Sequence, residues 1–368
     1  MFTSPIRQVL SVRRGLNPGL LAGAASVSAL LSLTPLVLPL FVEEFAISVA
    51  VVGWASSAQI ASFAVASFLA GRFLPASNRL FRTALIVLAS SNALAAFAPS
   101  FTLLVVTRIG AGVAAGIVNW LAWRQAARVP TQMGSVAVIG PATAAVASIV
   151  LGFLIASLGY GSAYLAVGVV SLAALALPID IQAGPPTGRA VSPSRSNVVL
   201  LLALGLITCF GSSIFLLSGF FLGADRGGPP WLLAWALAGS AGLGIVAARQ
   251  RMSSGGIWFL CVSAMALVLG LVPSAWVGAA AVTAWGLFFW FGIPAVLRLV
   301  DDYSDQPGER SGDIQASMAV GRVIGPLVGG ALLGAGSPEL LGVVSAAGLG
   351  VGAVLVLSVE RYRRTANA

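Results

Sequence analysis

Twelve stretches of about 20 mostly apolar residues follow one another along this 368-residue chain, and no other feature restricts its folding so strongly. A helix rises 1.5 Å per residue, so about 20 residues cross the roughly 30 Å of hydrocarbon in a bilayer. Read between Arg, Pro-Gly and acidic punctuation, the stretches are 18–42, 49–70, 81–98, 101–123, 135–157, 160–179, 198–222, 230–249, 256–272, 275–298, 314–334 and 339–359. Each is expected to be helical, because a strand alone in lipid leaves its backbone groups unpaired. Composition closes the soluble alternative. Charged residues are 8% and apolar residues 58% of the chain, against about 25% and 45–50% in ordinary soluble domains. So few charges cannot clothe a water-facing surface, whereas lipid needs no polar cover. The fold class expected is an all-α integral membrane protein of twelve transmembrane helices.

The arginines give this map an orientation. Arg7, Arg13, Arg14, Arg72, Arg79, Arg82, Arg124, Arg128, Arg189, Arg195, Arg249, Arg251, Arg298, Arg310, Arg361, Arg363 and Arg364 fall on one side, and Arg226 alone on the other. Basic residues accumulate on the cytoplasmic side, so both termini are expected in the cytoplasm of a multi-pass protein of the cytoplasmic (inner) membrane. Glu43, Glu44, Asp225 and Glu339 lie on the outer side. Trp54, Trp231 and Trp276 at outer span ends, with Trp123 and Trp258 at inner ends, suit the interfacial belts where amphipathic rings settle. The first span follows a basic stretch but is too long for a signal peptide, and no small-x-small cleavage site precedes the second.

Several chemistries are excluded. All 20 basic residues are Arg, so no Lys is present for a Walker A loop, and there is no His for zinc or a catalytic dyad. Cys209 and Cys261 lie in apolar runs and are expected to act as small buried hydrophobes. No cofactor and no metal are expected. The net charge of +9 follows from the one-sided arginines and requires no nucleic acid.

The chain divides in two. Asp180–Ser196, with Gly184-Pro185-Pro186 and Ser192-Pro193, separates six spans from six, and is too short for a domain of its own. The expected organisation is an N-terminal half over 1–180, a cytoplasmic linker over 181–196 and a C-terminal half over 197–368. A weak repeat at an offset of 174 pairs Pro99-Ser100 with Pro273-Ser274, Gly112 with Gly286 and Arg124 with Arg298. Gly140-Pro141 in span five has its counterpart in Gly325-Pro326 of span eleven. Repeated halves about a central cavity suit rocking between two open states.

These motifs carry a resemblance. Arg108-x-x-Ala111-Gly112-x-x-Ala115-Gly116 is similar to the span-four motif of the major facilitator superfamily, with Ala111 where Gln is common. Gly321-x-x-x-Gly325-Pro326-x-x-Gly329-Gly330 resembles that superfamily's exporter motif, best known from span five, where this chain keeps only Gly140-Pro141-x-x-Ala144-Ala145. The loop Gly71–Arg79 resembles the gating loop but lacks its Asp. The resemblance covers nearly the whole chain. It implies the two-bundle fold of a secondary active transporter, a permease rather than an enzyme, moving a small organic solute by alternating access. Its implied partners are that solute, membrane lipid and a candidate coupling proton. The glycine motif leans toward export over uptake.

Arg108 and Arg322 lie within spans, where a central Arg costs about 2.5–3.5 kcal/mol on insertion scales. At 100° per residue, Arg108, Gly112, Ala115, Asn119 and Trp123 share a face. Arg108 therefore reads either as an anion-binding or gating group, or as a structural Arg bonded to neighbouring carbonyls. Arg322 shares its face with Gln315, Gly325 and Gly329, which fits helix packing or substrate contact. No Asp or Glu occupies the middle of a span, so an organic anion is favoured over a cation, with Arg108 as its counter-charge. Gln59, Asn119, Trp285 and Trp290 complete the substrate-binding candidates. The last two belong to the aromatic run of span ten, which also suits lipid contact and core filling. Gating candidates are Gly140, Pro141, Gly325 and Pro326, together with a latch between Arg72 and Asp313.

Two other classes compete. A membrane enzyme acting on a lipid-linked substrate needs a polar cluster at an interface, which only Asp301, Asp302 and Asp305 approach, in what otherwise reads as a solvated loop. A permease subunit of an ATP-driven complex would co-purify with a nucleotide-binding partner.

Overall fold

Twelve α-helices and no strand are formed by the residues described in the computed structural model, which are 17–127, 130–182, 195–247, 254–304 and 311–366. They are α1 Pro18–Glu44, α2 Val49–Phe73, α3 Asn78–Ala96, α4 Phe101–Ala127, α5 Pro130–Leu158, α6 Tyr160–Ala173, α7 Arg195–Phe215, α8 Leu232–Ala247, α9 Gly256–Leu271, α10 Ala275–Asp302, α11 Ser311–Gly334 and α12 Pro338–Ala366. Eight of them are long and apolar enough to cross a membrane. The other four, α3, α6, α8 and α9, are shorter or more polar and stand beside these. Local chemistry sets several ends. Asn17 caps α1, its side chain accepting from the Gly19 N–H at 3.3 Å, with Pro18 in the first turn. Ser77 caps α3 through the Leu80 N–H at 3.2 Å. Between α5 and α6 the chain reverses at Gly159, whose φ of 80° is open to glycine without strain.

Each apolar stretch becomes one helix, with one correction. The seventh is expected to run to 222, but α7 ends at Phe215 and the chain continues in short 3-10 turns at Ser218–Phe220 and Ala224–Arg226. Gly219 there lies against the Pro39 ring and the Pro35 carbonyl of α1. Non-helical backbone survives at such depth only when protein shelters it, and Leu217, Ser218, Phe221 and Leu222 are all buried. Most of the linker lies outside the described residues.

The helices pair identically in the two halves. In the first, α1 packs on α5, α2 on α4 and α3 on α6; in the second, α7 packs on α11, α8 on α10 and α9 on α12. The sequence repeat is realised at this level. Gly112 of α4 meets the Gln59 carbonyl of α2, and Gly286 of α10 meets the Ser240 carbonyl of α8. Small residues let helix backbones approach closely where lipid supplies no hydrophobic drive.

Between the halves, α2 lies on α11 and α5 on α8. These contacts concentrate on one face. Gly53 lies against the Pro326 carbonyl, Gly330 against the Val49 and Ala50 carbonyls, and Gly152 against Ala234. The Ser57 hydroxyl donates to the Val323 carbonyl at 2.7 Å. All of these lie away from the face that carries both ends of the described chain, so that far face is sealed.

Candidate functional site

A groove runs between the halves from the termini-bearing face to this seal. On α2 a single row of positions shows it. Ala50, Gly53 and Ser57 are covered by α11, whereas Phe68, on the same row three turns further, is 57% exposed and Arg72 is exposed too. On α11, Pro326 and Gly330 are buried in the seal, Ala319 is half-buried and Gln315 is exposed. The two helices touch at one end and part at the other.

Arg322 lies at the closed end. Its helix uses Gly321, Gly325 and Gly329 to pack on α7, against Gly205, Cys209 and Ser213. It uses Val323, Pro326 and Gly330 to pack on α2. At about 100° per residue, Arg322 falls between these two rows and opposite the exposed Val320 and Ile324. Its side chain therefore leaves α11 on the side of the wedge between α7 and α2, one residue before Val323, whose carbonyl accepts from Ser57. It is half-buried and makes no hydrogen bond, ion pair or ring contact with any described residue. Cys209, a free and half-buried thiol, stands across the α7–α11 seam at this level, with Ser212 one turn on. From the first half, Asn119 is half-buried on the α1–α2 side of α4 and has no hydrogen-bond partner among the described residues.

Arg108 is arranged in the opposite way. It is 2% exposed and enclosed within the first half. It donates to Asn92 Oδ1 at 3.2 Å, to Gln59 Oε1 at 3.5 Å and to the Ser91 carbonyl at 3.3 Å. The Tyr164 ring lies 4.2 Å from its guanidinium carbon. Such a cation–π contact contributes about 2 kcal/mol when desolvated. In this structure Arg108 ties α2, α3, α4 and α6 together, and Gln59 is its partner rather than a wall of the groove. The face it shares with Gly112 is a close helix contact, since Gly112 and Gly116 press on the Gln59 and Phe63 carbonyls.

The remaining candidates divide between packing and groove. Trp285 is buried against Phe215, ring centroids 5.7 Å apart, and Trp290 covers Gly244 of α8. Both join α10 to other helices of the second half. Gly140, beside Pro141, faces Ser28 of α1. Gly325 packs on α7, while Pro326 lies in the far seal. Arg72 stacks over Phe68 of its own helix at 4.9 Å, and Asp313 is exposed at the start of α11, where α2 and α11 diverge. Sequence reading passed over Gly53 and Ser57, whose four-residue spacing of small residues is the signal for a helix contact. It also passed over Cys209 as a groove residue, for which no signal exists in the sequence.

Two six-helix halves with the same internal pairing, meeting at one face and parted at the other, have the architecture of a membrane transporter. The sequence profile of the Major Facilitator Superfamily matches residues 20–314, and the chain belongs to that superfamily. Solved structures share the fold. A bacterial homologue of the human lysosomal transporter Spinster, in an inward-facing and occupied conformation, is 13% identical, with a TM-score of 0.68 over 100% of this chain and 98% of the other. The human organic anion transporter MFSD10 (TETRAN) is 15% identical, with a TM-score of 0.67 over 96% and 100%. A bacterial homologue of the human drug peptide transporters PepT1 and PepT2 is 12% identical, with a TM-score of 0.72 over 99% and 100%. No curated protein matches the sequence significantly.

Proposed function

We propose that this chain is a secondary active transporter of a small organic anion, with Arg322 as the counter-charge at the closed end of its groove. The observation that carries this reading is the contrast between the two mid-span arginines. Both terminal nitrogens of Arg108 donate to protein acceptors and its guanidinium lies over the Tyr164 ring, whereas Arg322 has no protein partner among the described residues. A cation kept in a span without a partner is costly, and an anionic ligand offsets that cost. The likeness to the human organic anion transporter is one of fold, and adds no substrate to this chain.

The state seen here is sealed on the far face and open on the face of the termini. The arginine bias makes the open face cytoplasmic, and a tag on either terminus that stays protected in right-side-out vesicles tests this. On closure of the open face, Arg72 and Asp313 approach and form the latch. Unchanged conformational bias in D313N would dismiss it. Export, toward which the glycine–proline run leans, is tested by cellular accumulation of a bound anion with and without the protein.

The test of the anion reading is thermal stability of the purified protein against organic anions, cations and neutral solutes, with R322Q and R108Q in parallel. A ligand at a hundred times its Kd adds about 2.7 kcal/mol to the folded state. Anions are expected to stabilise the wild type and R108Q but not R322Q. Equal stabilisation of wild type and R322Q by cations or neutral compounds would refute the assignment.

A further inference from the structure

The halves meet along two edges, α2 with α11 and α5 with α8, and the two differ in chemistry. The open end of the first carries Arg72, Asp313 and Gln315, all exposed. The second has no charge at any depth: α5 holds none from Pro130 to Leu158, and α8 none from Leu232 to Ala247. It is closed toward the far face, where Gly152 of α5 lies against Ala234 of α8. Toward the termini-bearing face it is uncovered. Ala145, Pro141 and Val138 continue the row of Gly152 along α5, at about 100° per residue, and all three are half-buried. Along α8, Ala234 and Ala238 are buried, whereas Ala241 and Ile245, further on the same row, are half-buried. A methyl group added to the neighbouring Gly242 would meet nothing within 4 Å. No residue of α5 from 138 to 145 is buried, although these residues point to every side of the helix. Only 17% of its most apolar stretch is buried, against 33–61% in the other seven long helices.

We infer that the α5–α8 edge is a lateral portal, through which an amphipathic anion passes between the groove and the bilayer leaflet nearer the termini. Half-exposed Val, Pro, Ala and Ile side chains with no charge beside them are poor neighbours for water and good ones for hydrocarbon chains. The groove behind the portal continues this lining. Leu31 of α1 is exposed, although α1 packs on α4, α5 and α6 of its own half. It lies one turn short of Pro35, which Gly219 of the second half covers, so its side chain looks into the groove. The polar groups, Asn119 and Arg322, stand on other helices. A ligand with an apolar body and one anionic head matches both parts. A charge is expensive within hydrocarbon, but the edge is uncovered toward the open face. The head therefore follows the mouth of the groove while the chain stays in lipid between α5 and α8. The anionic class rests on the reading of Arg322 as the counter-charge, whereas the portal rests on the two helices alone.

Spin labels on A145C, I245C and Q315C, one at a time, test the portal without any ligand. The background has Cys209 and Cys261 replaced by Ser, and the protein sits in nanodiscs. Collisions with oxygen, which concentrates in hydrocarbon, are compared with collisions with a water-soluble nickel chelate. Oxygen is expected to dominate at both edge positions and the chelate at Q315C. Two edge positions on different helices keep the test decisive where one variant fails to fold. Chelate dominance at A145C and I245C, or shielding from both reagents, overturns the portal. The ligand class is read from thermal stabilisation by propionate and by decanoate, each corrected for its partition into the disc. One buried methylene adds roughly fourfold in affinity. Burial of half the additional chain therefore gives decanoate about a hundredfold advantage, which R322Q should abolish together with propionate binding. Equal affinity for the two acids overturns the amphipathic class. An anion panel without a stabilising compound overturns the reading of Arg322 and the anionic class with it, while the label readings decide the portal by themselves.

Discussion

Gly53→Ala places one methyl group at the centre of the far seal. Its Cβ would sit 2.8 Å from the Pro326 carbonyl carbon, closer still to that oxygen, and 3.3 Å from the Leu327 nitrogen. Comfortable carbon–carbon contact begins near 3.5 Å, so α2 and α11 must separate by roughly 1 Å. The obstacle is backbone on a neighbouring helix, which no rotamer change relieves. Overpacking of this kind costs about 1–3 kcal/mol. The cost falls on the state in which α2 and α11 touch at this level, and vanishes when the far face opens. A differential of that size shifts the balance toward the far-open state by about 5- to 150-fold. Spin labels at Ser48 and Ala335, both exposed at the far ends of the two helices, read the shift as a longer distance population. Gly242→Ala in α8 is the control, because nothing lies within 4 Å of its added methyl. It should leave the distances unchanged and slightly favour the helix. A G53A distance distribution identical to that of wild type would refute the seal as drawn.

Removing the hydroxyl in Ser57→Ala deletes one hydrogen bond between the halves, worth about 0.5–1.5 kcal/mol, so the same labels should show a smaller shift in the same direction. Arg108→Gln strands the acceptors of Gln59 and Asn92 inside the first half, at about 1–3 kcal/mol for each buried group. Its melting temperature without ligand should fall well below that of wild type, whereas R322Q, which loses no protein contact, should melt no lower than wild type. The Glu360 carboxylate of α12 accepts from the Ser254 hydroxyl at 2.5 Å and from the Gly255 N–H at 2.6 Å, holding the start of α9. Glu360→Gln weakens charge-assisted bonds and should cost about 1–3 kcal/mol in thermal unfolding, with anion binding at Arg322 unaffected.

Much of the fold is legible in the sequence because lipid imposes a one-dimensional rule. A run of apolar residues long enough to cross must close its own hydrogen bonds, so α1 to α12 can be read one at a time without knowledge of their neighbours. The exception is instructive. The run through Gly219 is as apolar as its neighbours, yet the helix stops at Phe215, where Pro39 and the Pro35 carbonyl of α1 occupy the space. That decision belongs to a contact between residues 180 positions apart. The site is less legible for the same reason. A helical wheel places Arg108 beside Gly112, and Arg322 beside Gly325, but cannot say which neighbour each glycine stripe meets.

The residues alone determined that this chain lives in a bilayer, crosses it as helices in two related halves, and carries two cations at depth with no acid among them. Each of these follows from local composition and from the cost of unpaired groups in lipid. Tertiary structure alone decided that Arg108 is consumed by Gln59, Asn92, Ser91 and Tyr164, while Arg322 is left facing the groove. Two arginines with the same penalty in sequence differ in role because partners from distant helices reach one and not the other.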